Sequence, residues 1–159
     1  MSRDDLIKQI EAAFEGVTLG QGVSLHETIV IDDYGSQAQR AAARKNDELH
    51  DWKKVLADPR FPKVHGVGGL SFYDSEGLRF HLPAYLLLAL SPVYEDVTES
   101  LMFTLTSCND YNKSRFAILN EAQRQAVRNF LLYLRQSGGP EFDYDQPRIR
   151  QALDEYWTG

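Results

Sequence analysis

Asp74-Ser75-Glu76-Gly77-Leu78-Arg79-Phe80-His81-Leu82-Pro83-Ala84-Tyr85-Leu86-Leu87-Leu88-Ala89-Leu90 is the stretch that decides the fold. Apolar residues occupy nearly every turn position, so a helix built from it has no polar face to give to water and belongs in the interior. Asp74 or Ser75 supplies the cap at its start. Pro83 lies within it, where a ring without an N–H kinks or restarts a helix. Ser91-Pro92 closes it. The expected architecture is mainly α, an irregular bundle of five or six helices around this proline-kinked element. Residues 1–159 are expected to form a single helical domain.

The flanking segments read as amphipathic helices. Ser2 and Asp5 have capping-box spacing, and Leu6, Ile7, Ile10, Ala13 and Phe14 recur at helical intervals before Gly16. A second helix is expected from Ser36 to about Ala57, with Ala38, Ala41, Ala42, Leu49, Trp52, Val55 and Leu56 as its apolar stripe. Asp58-Pro59 ends it, and a loop is expected over 58–73. Residues 98–106 suit a helix or, by the alternation of Leu101, Phe103 and Leu105, a strand. Cys108 to Asn112 reads as a polar loop. Asn120 with Gln123 caps another helix carrying Val127, Phe130, Leu131 and Leu134, stopped at Gly138-Gly139-Pro140. Pro147 opens a last short helix with Ile149, Leu153, Tyr156 and Trp157 on one side. Thr28-Ile29-Val30-Ile31 is β-branched and suits a short strand or an extended loop that inserts apolar side chains.

The chain of 159 residues has a net charge of −6, a hydrophobic fraction of 43% and one cysteine. That length buries roughly two thirds of its unfolded surface, enough for a core without metals or disulfides. The charge is distributed unevenly: residues 1–33 carry −5, 34–65 carry +3, 66–112 carry −5 and 113–159 carry +1. An acidic surface disfavours nucleic acid, and the uneven charge suits either ordinary solvated helix faces or contact with a basic protein partner. The charged amino-terminal helix is not a secretory signal, and the longest apolar run falls short of the ~20 residues of a membrane span. The expectation is a cytoplasmic protein with no membrane and no nucleic-acid partner.

Catalytic patterns are absent from the sequence. Asp47, His50 and Asp51 would share one face of the second helix, with His26-Glu27 and Asp32-Asp33 as further donors. The sequence has no His-Glu-x-x-His or paired Glu-x-x-His spacing, and no metal or other cofactor is expected. Gly66-Val67-Gly68-Gly69-Leu70-Ser71 lacks the lysine of a phosphate-binding loop and reads as a turn. Cys108 needs a nearby base to be reactive, and His65 and His81 are the candidates. The tail offers more. Phe142, Asp143, Tyr144 and Asp145 interleave aromatics with acids, and Tyr156 and Trp157 add two rings, a composition that suits either rings docking the tail onto the core or an exposed partner-binding patch typical of interaction hot spots.

Leu70-Ser71-Phe72-Tyr73-Asp74 leading into Phe80-His81-Leu82-Pro83-Ala84-Tyr85 resembles a family of small bacterial domains of unknown function. That family has an aromatic-rich turn ahead of a Phe-x-His/Tyr-Leu-Pro-Ala-Tyr helix. Arg115-Phe116, Leu119-Asn120, Gln123 to Val127, Tyr34-Gly35 and Trp52 are also similar. The resemblance implies a small, mainly helical bacterial protein and transfers no catalytic residue. The function expected is non-catalytic binding of another protein. Its most specific form is an immunity or antitoxin-like protein that neutralises a toxin. The alternatives are a small-ligand or enzymatic site near His81 and Tyr85, and an adaptor subunit of a larger assembly.

Overall fold

The proline-bearing stretch forms one continuous helix. In the computed structural model, which describes residues 1–64, 69–91 and 95–159, Ser75–Ala89 is helical throughout with Pro83 inside it. Asp74 caps it by accepting the Gly77 N–H at 2.8 Å. Eleven of its residues are buried, from Gly77 to Ala89.

The chain is mainly helical, with ten α-helical segments among the described residues. They are α1 Arg3–Ala13, α2 Glu27–Asp32, α3 Gln37–Arg44, α4 Trp52–Ala57, α5 Phe61–Val64, α6 Ser75–Ala89, α7 Glu95–Thr106, α8 Asp110–Phe116, α9 Glu121–Ser137 and α10 Gln146–Glu155. Short 3-10 turns occupy Gly69–Phe72 and Pro140–Asp145. The buried apolar side chains form one cluster. α6 packs against α1, α4, α7 and α8, while α9 packs against α1 and α10.

Capping explains where the long helices begin. Ser2 accepts the Asp5 N–H, and Asn120 and Gln123 make a complete reciprocal box at the start of α9. α1 ends before Gly16, which turns the chain at φ 76°. α9 buries Gln123, Ala126, Val127, Phe130, Leu131 and Leu134, as its spacing predicts. Both tryptophans are buried with their N–H groups satisfied: Trp52 donates to the Phe14 carbonyl at 3.0 Å and Trp157 to that of Leu105 at 2.9 Å.

Four expectations are corrected. Thr28–Ile31 is neither strand nor extended loop but part of α2, whose first turn is anchored by Glu27 and Thr28, both buried. The expected helix 36–57 is two helices, α3 and α4, separated by Lys45–Asp51. The first half of the expected stripe does not face the core: α3 buries no residue, and Ala38, Ala41 and Ala42 are exposed. Asp110 to Asn112, within the expected polar loop Cys108 to Asn112, instead open helix α8 (Asp110–Phe116), which Asn109 caps. The fourth concerns the segment 58–73, which contains α5 and a 3-10 turn. For 98–106, the helical alternative is the one observed.

Segment 20–25 lies against the start of α6. Val23 N–H donates to the same Asp74 carboxylate that caps α6, and Gln21 N–H donates to Glu76. A Cβ on Gly22 would stand 2.6 Å from the Gly77 backbone nitrogen, and one on Gly77 would stand 2.6 Å from the Val23 carbonyl. Two glycines are needed for backbones to approach this closely.

Candidate functional site

Two carboxylates with buried side chains, Glu27 and Asp47, organise residues 20–51. Glu27 is buried and accepts the Ser24 N–H at 3.3 Å, both Arg40 Nε and Nη2, and Arg44 Nη1 at 3.0 Å. Burial alone raises its carboxyl pKa, but the bonds from Arg44, Ser24 and Arg40 outweigh it and hold the group below its ordinary value. Arg44 also donates to the carbonyls of Gly20 and Gly22. α3 is therefore attached by two guanidinium groups and not by an apolar face.

Asp47 is the second centre. Its carboxylate is 3% exposed and accepts Ser24 Oγ at 2.6 Å, the His26 N–H at 2.8 Å and the His26 ring Nδ1. A carboxylate only accepts, so Nδ1 carries the proton and Nε2 is the ring's second nitrogen. The His26 side chain is 33% exposed and lines a cleft of about 230 Å³. Leu25, Asn46, Glu48, Lys54, Val55, Asp58 and Arg60 form the rest of its wall. Arg60 holds the Asp58 carboxyl down to about 2, by its side chain first and its backbone N–H second. The backbone N–H of His50 lowers Glu48.

Asp47, His50 and Asp51 do not share the one helix face that their spacing suggested. α3 ends at Arg44, so Asp47 and His50 share no helix, and Asp47 turns inward to His26. No group of three or more His, Cys, Asp or Glu side chains suited to a metal occurs among the described residues.

His81 and Tyr85 are fully buried. His81 Nδ1 donates to the Gly77 carbonyl at 2.6 Å and its ring stacks on Tyr73 at 4.4 Å. Tyr85 and Tyr73 share a hydroxyl hydrogen bond of 2.9 Å, and burial pushes both phenols above their ordinary range. The ring of Phe61 lies 4.8 Å from that of Tyr85. As placed, the pair belongs to the interior, and a ligand would have to displace core side chains to reach it.

The tail residues separate into two groups. Phe142 and Trp157 are buried and Tyr156 is half-buried, its hydroxyl accepting from Arg124 at 3.0 Å. These three rings dock the tail onto the core, one of the two arrangements the sequence allows. Asp143 and Tyr144 are exposed, Tyr144 at 84%, and Asp145 is half-buried. Cys108 is half-buried, and burial raises its thiol pKa, which lowers the thiolate fraction. His81 is enclosed in the core, while His65 and residues 66–68 of the glycine-rich stretch lie outside the described residues.

The end of α2 presents a feature that composition does not show. Gly35 N–H bonds the Val30 carbonyl at 2.8 Å and Tyr34 N–H bonds that of Ile31 at 3.1 Å, the paired bonds of a Schellman stop. The left-handed position in that motif is usually glycine; here it is Tyr34, at φ 57°. Gly35 follows because a Cβ there would meet Val30 Cγ1 at 2.4 Å. Tyr34 is 97% exposed, and Asp32 and Asp33 beside it are exposed too.

The fold and these sites define a mainly helical chain with a charge-held subregion and acid-flanked surface tyrosines. The chain belongs to a family of unknown function (DUF6714), whose model matches residues 2–159. No curated protein and no solved structure matches it. No helix among the described residues is long and apolar enough to cross a membrane.

Proposed function

We propose that this chain works by binding another protein, a basic one, through tyrosines set among acids. The observation that carries the reading is Tyr34. A side chain with a Cβ costs roughly 1–2 kcal/mol in the left-handed conformation relative to glycine. A tyrosine that buries almost none of its area regains nothing from packing within the chain. Strain kept at a fully exposed aromatic fits a contact made outside the molecule. Tyr144, between Asp143 and Asp145, repeats the chemistry on the tail. Aromatic area supplies affinity, and the carboxylates select basic partners and speed encounter.

The most specific form of this reading is a bacterial immunity or antitoxin-like protein that occludes a toxin by direct contact, a role that asks no chemistry of the chain. The test is size-exclusion chromatography of the purified protein mixed with the product of the adjacent gene. Co-elution that weakens with salt and is lost in Tyr34→Ala or Tyr144→Ala supports it. Separate elution, with no protection of cells from that product, removes the toxin version. Binding unchanged in the doubly substituted protein removes the tyrosines as the contact.

A further inference from the structure

We propose that His26 is a nucleophilic imidazole, open to small neutral acyl esters in the 230 Å³ cleft, with Asp47 as its positioning residue. Three observations converge on it. The Asp47 carboxylate is almost fully buried and is held on its other oxygen by Ser24 Oγ and the His26 backbone N–H, so it cannot swing away. It binds Nδ1, which leaves the lone pair of the ring on Nε2. The ring is partly exposed and borders the cleft, where a small molecule has room.

Charge decides the class of electrophile. The cleft is lined by Lys54 and Arg60 against Asp47, Glu48 and Asp58, a net charge of −1 from these five side chains. That surplus repels a phosphoryl dianion. It favours a neutral electrophile whose attachment turns the ring cationic. Nε2 attacks the ester carbonyl carbon, the C–N bond forms, and the ester C–O bond breaks with its electron pair. The departing alkoxide takes a proton from water. The Nδ1 proton stays on the Asp47 hydrogen bond, so the acyl-imidazolium is balanced by a buried carboxylate. The hydroxide released attacks the acyl carbon, the C–N pair returns to Nε2, and an acid leaves. The net change is ester plus water to acid plus alcohol, with no oxidant or further reactant.

His50 provides an internal comparison. It is the more exposed ring, and no carboxylate binds it among the described residues. Diethyl pyrocarbonate, an acylating probe, is applied to the full folded chain and the labelled histidines are quantified by peptide mass spectrometry. Reactivity governed by exposure labels His50 first; the proposal requires His26 to be labelled first, by about fivefold or more. Equal labelling, or His50 ahead, overturns it in the unsubstituted protein. A second measurement follows p-nitrophenyl acetate hydrolysis. His26→Gln should lower the rate about tenfold and His50→Gln should leave it unchanged. Asp47→Asn, in protein shown to be folded by near-ultraviolet circular dichroism, should bring the His26 labelling rate down to that of His50. Retained preference in Asp47→Asn, or retained hydrolysis in His26→Gln, also overturns the proposal. None of these outcomes bears on the binding of a basic protein at Tyr34.

Discussion

The body around α6 and the segment carrying α2 and α3 are held by opposite means. α1, α6, α7, α9 and α10 meet through apolar side chains such as Leu6, Ile10, Leu101, Phe130 and Trp157, all buried to 2% exposure or less. α3 buries no side chain and is secured by Arg40 and Arg44 on Glu27. Hydrophobic burial is non-directional and insensitive to pH. An ion-paired attachment is directional, and it depends on protonation and salt. The contrast predicts a protein whose body and charge-held segment fail under different conditions.

The largest effect should come from the body. Trp157→Ala leaves a cavity against Phe116, whose ring centre is 4.9 Å away, and removes the bond to Leu105. A loss of about 4 kcal/mol is expected in chemical denaturation, as one global transition. If the substitution costs less than about 1 kcal/mol, the tail is not part of the core.

Glu27→Gln should cost about 2 kcal/mol, less than removal of a fully buried ion partner because Arg40 and Arg44 stay partly hydrated. Its signature is local. Amide hydrogen exchange should speed up in α2 and α3 and remain slow in α6 and α9. A uniform acceleration across all helices would erase the distinction between the two regions.

Acid should repeat that substitution without mutagenesis. Glu27 has a folded pKa below its ordinary 4.5, so its contribution to stability is present above 4.5 and is lost as pH falls through the folded value. Exchange protection in α2 and α3 should therefore drop below about pH 4.5, and Glu27→Gln should abolish that drop. A pH-independent α3 would show that its attachment is not electrostatic.

Tyr34→Gly is the smallest and has the opposite sign. Removing a side chain at φ 57° that packs on nothing should stabilise the fold by about 0.5–1 kcal/mol, read as a rise in melting temperature. A destabilisation would mean that Tyr34 makes a contact within the chain that repays its conformation.

These two regions also differ in how far the sequence reveals them. The body was readable: Asn120 with Gln123, the period of α9, and the unbroken apolarity of Leu78 to Leu90 each carry a local cause that tertiary contacts reinforce. The charge-held segment was not. Ala38, Ala41 and Ala42 recur at the spacing of a core stripe, yet alanine buries too little area to compel a helix inward. Thr28 to Ile31 is β-branched but follows a glutamate fixed by two arginines, and those long-range pairs override propensity. His26 and Asp47 are 21 positions apart, so no motif links them. The His50 spacing that suggested a metal face depended on a helix that ends at Arg44. The notable residue at position 34 was visible as a tyrosine before a glycine, but its left-handed conformation was not.

Sequence alone determined that this is a mainly helical chain whose proline-bearing segment is buried, because caps and hydrophobic periodicity act over a few residues and need no distant partner. Only the tertiary structure decided which acids became buried anchors, which aromatics docked the tail and which stayed at the surface. Those outcomes depend on desolvation and hydrogen-bond partners brought together across tens of residues, a property of the folded geometry that no local pattern encodes.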